Sequence, residues 1–186
     1  MTTGFVLDPT ASTTSEVTSP GPDAGDLSGK VIGIRVDQIW RSWDWVSEIW
    51  ADRFRGLGAE VRFWRSCGRS GEEGERMAEQ FEEFLAAIDI AVVGLANCGS
   101  CTGWTVRDAL SAAGRGLPTV AVATANFEQF AKTLARHGGR SGLRVHVLPY
   151  PLNERKREEV GSVAHAYFAG MLDIMGVPLS GRVVAA

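Results

Sequence analysis

Apolar and amphipathic segments alternate along the chain from about residue 29 onward. Five short apolar runs predict β-strands, and the segments between them carry apolar residues at helical spacing. The strands fall at 30–36, 61–64, 90–96, 118–124 and 143–148, and the helices at 42–57, 75–87, 105–113, 127–137 and 154–174. Because parallel strands need helical crossovers, this order predicts an α/β fold: a three-layer sandwich with a mostly parallel sheet, flavodoxin-like or Rossmann-like.

Residues 1–28 lack this periodicity and are rich in Ser, Thr, Pro, Gly and Asp. Such a segment buries too little apolar surface to offset the entropy lost on ordering. We therefore expect a disordered tail over 1–28, followed by a single α/β domain over 29–186.

Composition narrows the class of protein further. The chain has 186 residues, 45% of them hydrophobic, and a formal net charge of −3, which suits one globular domain. Its basic residues are interspersed with acids, so we expect no nucleic-acid partner. No apolar run reaches spanning length, so we expect no membrane partner either. Three cysteines, two of them in a C-x-x-C, suit the reducing cytoplasm.

The C-x-x-C pair, Cys98 and Cys101, lies where ligands bind in such sheets, beyond the carboxyl end of a strand. Unpaired N–H groups at a helix start favour a thiolate over a thiol and lower the cysteine pKa. Cys98 is the candidate nucleophile because it lies further from the helix body. Cys101 is placed to attack an adduct formed on Cys98.

Two other interpretations of the pair stay open. It could be a structural, buried pair, since free cysteine packs as a small hydrophobe. A structural zinc site usually needs four ligands, and Cys67, His137, His146 and His165 show no paired short spacing, so no metal is predicted. Cys67 is interpreted as a bystander near a loop, and no histidine has the placement of a general base. No G-x-G-x-x-G follows a strand, so no dinucleotide, flavin or other cofactor is predicted.

The run Cys98-Gly99-Ser100-Cys101 resembles the motif of the U-G-S-C proteins, in which selenocysteine or cysteine precedes Gly-Ser-Cys. The segment 35–44 also resembles an Arg-x-Asp-x-x-Trp-x-Ser-Trp-Asp pattern of that family. The chain is similar, too, to the selenoprotein subunits of glycine and proline reductases, through 98–102, 116–120 and 149–152 in the same order. It departs from them at Trp104, where they carry a further cysteine, and at Tyr150, where they carry histidine.

This resemblance implies that Cys98 occupies the selenocysteine position and is the attacking atom, with Cys101 as its resolving partner. Because the reductase subunits work in larger assemblies, it also implies a homo-oligomer or an obligate partner subunit.

Charged and aromatic residues after the first strand are further candidates for substrate binding. Arg35 interrupts an apolar strand, and a buried cation needs a partner such as Asp37 or a bound anion. Either residue could hold a substrate, since arginine grips carboxylates through two parallel hydrogen bonds. Trp40 and Trp43 could form the wall of the pocket, or could pack on the sheet instead.

Polar residues near the thiols complete the predicted site. Asn97 and Thr102 could donate hydrogen bonds to an oxyanion or to the Cys98 thiolate, and Thr102 could equally be a helix N-cap. Ser100 lies between the cysteines. Thr124 follows the fourth strand, and Tyr150 in the last loop could supply a proton.

These features favour a thiol-based reductase acting on a small acidic or amide-bearing metabolite and reset by a thioredoxin-like reductant. One alternative is covalent thiol catalysis without net redox, as in an isomerase, lyase or hydrolase. Another is a non-catalytic redox sensor or partner subunit.

Overall fold

The computed structural model describes residues 16–178, which form one five-stranded parallel sheet in the order β2-β1-β3-β4-β5. Helices alternate with the strands, and their bounds are β1 Val31–Val36, α1 Arg41–Gly56, β2 Glu60–Arg65, α2 Gly71–Ala86, β3 Ile90–Ala96, α3 Gly99–Gly114, β4 Thr119–Thr124, α4 Glu128–His137, β5 Arg144–Leu148 and α5 Arg157–Ile174. The predicted α/β three-layer architecture is confirmed, and the strand order is that of the flavodoxin-like fold.

A hydrophobic core lies on each face of the sheet, between the strands and the helices that cover them. Alternate residues of β1 and β3 project to opposite faces, so one face packs against α1 and α5 and the other against α2, α3 and α4. The first core includes the buried rings of Trp43, Trp50, Phe54 and Phe168. Arg35 lies on the opposite face of β1 from Ile34 and Val36, which turns its side chain toward α3.

The strand order places a crevice at one end of the sheet. From β1 the chain passes to β2 on one side, and β3 then pairs with β1 on the other side. The loops that follow β1 and β3 diverge at this reversal, where ligands of open α/β sheets bind. The C-x-x-C lies here, directly after β3.

Two helices begin a full turn or more earlier than the sequence predicts. Helix α3 begins at Gly99 and not at residue 105, because the Cys98 sulfur accepts the N–H of Cys101 in the manner of an N-cap side chain. Sulfur is not among the usual capping atoms, so the start signal was missed. Helix α2 begins at Gly71 and not at residue 75, although the glycines of its first turn disfavour helix formation.

The predicted boundary of the disordered tail is wrong for residues 16–28. The buried guanidinium of Arg144 donates to the carbonyl oxygens of Pro20 and Pro22, at 3.1 and 2.8 Å, and also contacts Asp23. Ala24 and Leu27 are buried in the first core. Residue composition missed this anchoring because one arginine satisfies several backbone acceptors. Residues 1–15 of the predicted tail and 179–186 of the predicted domain lie outside the described residues.

No helix within residues 16–178 is long and apolar enough to cross a membrane.

Candidate functional site

Cys98 and Cys101 lie in disulfide geometry at the N-terminus of α3, with their Cα atoms 5.2 Å apart. The Cys101 N–H donates to the Cys98 sulfur at 3.2 Å. The two sulfurs differ in access, because Cys98 is half-buried and Cys101 is only 5% exposed. An accessible first sulfur with a buried second one is the arrangement that thiol–disulfide exchange needs.

A cleft of about 210 Å³ opens beside the cysteines at the reversal of the strand order. The end of β1, the loops after β1 and β2, and the first turns of α3 form it, and its lining residues are Arg35, Asp37, Gln38, Ile39, Ser66, Cys67, Arg69, Ser100, Cys101 and Trp104. Cys101 lines the cleft directly, and the Ser100 hydroxyl oxygen lies 3.5 Å from the Cys98 sulfur. The cleft therefore reaches the disulfide through these two residues.

Buried charges form the base of this cleft. The Arg35 side chain donates to Asp108 at 3.0 Å, to Asp37 at 3.3 Å and to the Gly94 carbonyl oxygen at 2.7 Å. Burial lowers the pKa of the Arg35 guanidinium, and the Asp108 carboxylate opposes that shift. Arg69 donates to both carboxylate oxygens of Asp108. The network thus joins β1, the loop after β2, and α3.

Aromatic rings hold Arg69 in place. Its guanidinium carbon lies 5.2 Å from the Trp64 ring centroid and 5.0 Å from that of Trp104. Arg69 and Trp104 also line a second groove of about 370 Å³ between α2 and α3. That groove contains no cysteine among its lining residues, so the smaller cleft beside Cys101 is the candidate site.

Asp37 lines the cleft as predicted and also shapes the loop above β1. Its Oδ1 accepts the N–H groups of Ile39 and Trp40 at 2.9 and 3.1 Å, while Oδ2 accepts from Arg35. The predicted pairing of Arg35 with Asp37 is present. The predicted role of Arg35 in gripping a substrate carboxylate has less support, because its Nε and Nη1 already donate to Asp108, Asp37 and Gly94.

The tryptophans predicted to form a pocket wall pack elsewhere. Trp43 is fully buried in the first core and donates its ring N–H to the Arg35 carbonyl oxygen at 3.1 Å. Trp40 packs partly buried against the same core, and neither ring lines the cleft. A periodic helix places Trp43 toward the sheet, so the packing alternative is the one observed.

The remaining predicted polar residues are also occupied or distant. Thr124 donates its hydroxyl to Asn97 Oδ1 at 2.8 Å, which ties β4 to the end of β3. Thr102 is fully buried and donates to the Cys98 carbonyl oxygen at 2.6 Å, so it is a residue of the first turn of α3 and not its N-cap. Tyr150 is 41% exposed and faces Phe127, with no place in the cleft lining.

Several residues of the cleft and of the ion-pair network beside it were missed or misjudged from sequence. Cys67, interpreted as a bystander, lines the cleft and accepts a hydrogen bond from Gln38 at 3.1 Å. Asp108 and Arg69 were not singled out. The sequence offers one signal for Asp108, which lies seven positions after Cys101 and therefore on the same helical face.

The histidines lie away from this site. Burial lowers the pKa of His146 to about 4, and its ring packs beside Trp50 and Tyr167 on the face of the sheet covered by α1 and α5. Among residues 16–178, no three His, Cys, Asp or Glu side chains cluster so as to hold a metal ion.

Fold and site together define a flavodoxin-like α/β protein with a paired-cysteine site at the topological switch point of its sheet. The chain belongs to the UGSC family, whose family model matches residues 5–177. No curated protein matches the chain.

Two solved structures are similar to the chain at low identity. A mutant flavo di-iron protein from Thermotoga maritima is 10% identical, with a TM-score of 0.47, over 79% of this chain and 37% of its own. A short-chain dehydrogenase from Oenococcus oeni is 14% identical, with a TM-score of 0.37, over 82% of this chain and 95% of its own. The chain thus spans well under half the length of the flavo di-iron protein.

Proposed function

We propose that this protein is a thiol-dependent oxidoreductase that reduces a small metabolite through Cys98 and Cys101. The observation that carries the proposal is the capping geometry, in which the half-buried Cys98 sulfur accepts the Cys101 N–H at the start of α3 beside the cleft. A helix-start N–H stabilises the same sulfur as a thiolate, which is the reactive form. The proximity of the pair, with Cα atoms 5.2 Å apart, allows an internal disulfide and so supports redox chemistry over covalent catalysis without net redox.

The chemical step is a two-electron reduction of a bond E–L in the substrate, where E is a soft electrophilic centre and L a leaving group. The Cys98 thiolate attacks E, forms an S–E bond and expels L, which takes up a proton. The Cys101 thiolate then attacks the Cys98 sulfur, forms the disulfide and releases E, which takes up a second proton. The two thiols are oxidised by two electrons, and a thioredoxin-like dithiol restores them while becoming a disulfide itself.

The surrounding residues have separate roles in this proposal. Ser100, which lines the cleft and approaches the Cys98 sulfur, contacts the bound substrate near the reacting atoms. Arg35 and Asp37 position the loop above β1 and do not bind the substrate charge. Thr102 fixes the Cys98 backbone at the helix start.

Two further points belong to the proposal and rest on the sequence. The cysteine usage favours the cytoplasm, where a dithiol reductant is present. The similarity to glycine and proline reductase subunits favours a homo-oligomer or a partner subunit. Neither point identifies the substrate.

The test uses the reduced protein with Cys67→Ser, so that only the paired thiols react. The rate of iodoacetamide alkylation is followed against pH by peptide mass, alongside variants that also carry Cys98→Ser or Cys101→Ser. We expect Cys98 to react selectively, with an apparent pKa below the ~8.5 of an ordinary cysteine. Slow alkylation of Cys98 with an ordinary pH profile would contradict an activated nucleophile.

Glutathione disulfide then serves as a model electrophile whose S–S bond is the bond E–L. In the C101S protein we expect glutathione to remain on Cys98, whereas with Cys101 present it is released and the internal disulfide forms. If both proteins retain glutathione equally, Cys101 is not a resolving thiol and the redox cycle fails.

A further inference from the structure

The ion-pair network beside the thiol cleft carries no net charge. Arg35 and Arg69 supply two positive charges, and Asp37 and Asp108 supply two negative charges. All three ion pairs among them are at least 85% buried on each side chain, with exposed fractions of 3%/8%, 3%/4% and 15%/4%. The base of the cleft therefore offers no surplus cation to a bound anion.

The Cys98 sulfur lies at the positive end of α3. A helix start attracts anions through its unpaired N–H groups, but the Cys101 N–H already points at the Cys98 sulfur. When Cys98 is a thiolate, that sulfur is itself the anion at this helix start. A substrate carboxylate at the same place would face the thiolate as a like charge.

Arg69 lines the cleft, but its guanidinium donates to Asp108 and its Nε atom is buried, so its charge is already paired and its Nε–H is not open to a bound molecule. The remaining polar groups of the lining are uncharged, namely Gln38, Ser66 and Ser100, and Ile39 and Trp104 add apolar surface.

We propose that the cleft binds an uncharged small molecule, such as a carboxamide, through the uncharged polar and apolar groups of its lining, and that it disfavours carboxylates. A carboxylate would have to leave water for a cleft whose cations are already paired, and burying an unpaired charge is far costlier than burying a hydrogen-bonded carbonyl group. This inference rests on the proposed function, since it names the substrate class of the same thiol site.

Two alkylating reagents of nearly equal size test the inference, because iodoacetamide is neutral and iodoacetate is an anion. Both second-order rate constants are measured on Cys98 in the reduced Cys67→Ser protein, and on Cys101 in the protein with Cys67→Ser and Cys98→Ser. For each cysteine, the rate constant with iodoacetate is divided by the rate constant with iodoacetamide, and this ratio is compared with the same ratio for 2-mercaptoethanol. We expect both cysteines to prefer iodoacetamide at least as strongly as 2-mercaptoethanol does. A higher relative rate for iodoacetate would overturn the inference.

If the balance of charge controls the rate of iodoacetate relative to iodoacetamide, two charge substitutions should change this relative rate in opposite directions. Asp108→Asn leaves a surplus cation and is expected to raise the relative rate of iodoacetate about tenfold, the effect of one charge at short range. Arg69→Gln, at a more exposed side chain, leaves a surplus anion and is expected to lower it several-fold. Asp52→Asn makes the same change as Asp108→Asn on the exposed surface of α1 and is expected to leave the ratio unchanged.

The outcomes separate the two proposals. An unreactive Cys98 contradicts the proposed function, while the ratio at Cys101 still reports the charge preference of the cleft. A reactive Cys98 that prefers iodoacetate keeps the proposed function and overturns the substrate class. An unchanged ratio in both folded Asp108→Asn and Arg69→Gln proteins also overturns it.

Discussion

The Trp43 indole fills the space beside Gly94 that a side chain would need. A Cβ at Gly94 would lie 2.6 Å from the ring atoms Cε2 and Cζ2 of Trp43, closer than carbon atoms approach in folded proteins. The same ring donates to the Arg35 carbonyl oxygen, and the Arg35 guanidinium donates to the Gly94 carbonyl oxygen. Helix α1 is thereby fixed to β1 and β3 directly below the cleft.

Gly94→Ala is therefore expected to destabilise the protein by about 1–3 kcal/mol, the usual cost of forcing a methyl group into a packed core. Equilibrium urea unfolding measures the change in the free energy of unfolding. Gly114→Ala is the matched control, because a Cβ there meets no atom within 4 Å. That change near the end of α3 is expected to be neutral or stabilising. Equal effects of the two changes would contradict the close packing of Trp43 on Gly94.

Arg35→Ala is expected to cost about 3–5 kcal/mol of stability, because it leaves buried acceptors without their partner. Asp108 and Asp37 both lose a hydrogen bond, as does the Gly94 carbonyl oxygen. Arg55→Ala removes an exposed arginine from an ion pair with Asp52 and is expected to cost less than about 1 kcal/mol. Urea unfolding of both variants checks the difference, and a loss no larger for Arg35→Ala would argue against a buried network.

The strands could be predicted closely from the sequence because their runs of apolar residues indicate that they are buried. Strand β3 was predicted at its observed bounds, since every residue of it is apolar or glycine and buried on both faces. The first residues of the helices were harder to predict from the sequence. The start of α3 depends on a sulfur atom as its cap, which no common capping pattern describes.

The site could be predicted only in part, because its contacts join distant positions of the chain. A charge in an apolar strand indicated that Arg35 needs a partner, and Asp37 two residues later is one of them. The other partner, Asp108, lies 73 positions away, and no local pattern connects the two. For the same reason Asn97 and Thr124 were assigned to substrate binding although they pair with each other.

Thr124→Val is expected to lower stability by about 1–3 kcal/mol without changing the alkylation rate of Cys98. The change removes the hydroxyl that donates to the buried Asn97 side chain, and an unsatisfied buried acceptor carries that cost. Thr133→Val, on the partly buried surface of α4, is the matched control and is expected to be nearly neutral. A stable Thr124→Val protein with slowed alkylation would instead indicate a role in the thiol site.

Arg144→Ala is expected to release the segment that precedes β1. Hydrogen exchange at the amides of Ala24 and Gly25 reports this directly, because both are bonded to the carbonyl oxygens of residues 175 and 176. We expect their exchange to accelerate at least tenfold while amides of β3 change little. Arg136→Ala, an exposed arginine on α4, serves as the control. Unchanged protection at Ala24 would show that Arg144 does not anchor this segment.

The stability of the protein is expected to fall as the pH is lowered from 7 to 5, because of His146. Burial lowers the pKa of His146 from 6.5 to about 4, so the unfolded chain takes up a proton in a range where the folded protein does not. Its contribution is fully present above the unfolded pKa of 6.5 and is lost as the pH falls toward 4. Between pH 7 and pH 5 this linkage lowers the free energy of unfolding by about 2 kcal/mol.

Urea unfolding at the two pH values measures the loss in the parent protein and in His146→Leu, where most of it should disappear. His165→Gln changes an exposed histidine on α5 and should keep the full loss. If His146→Leu shows the same pH dependence as the parent, another group controls it and the burial of a neutral His146 is not its source.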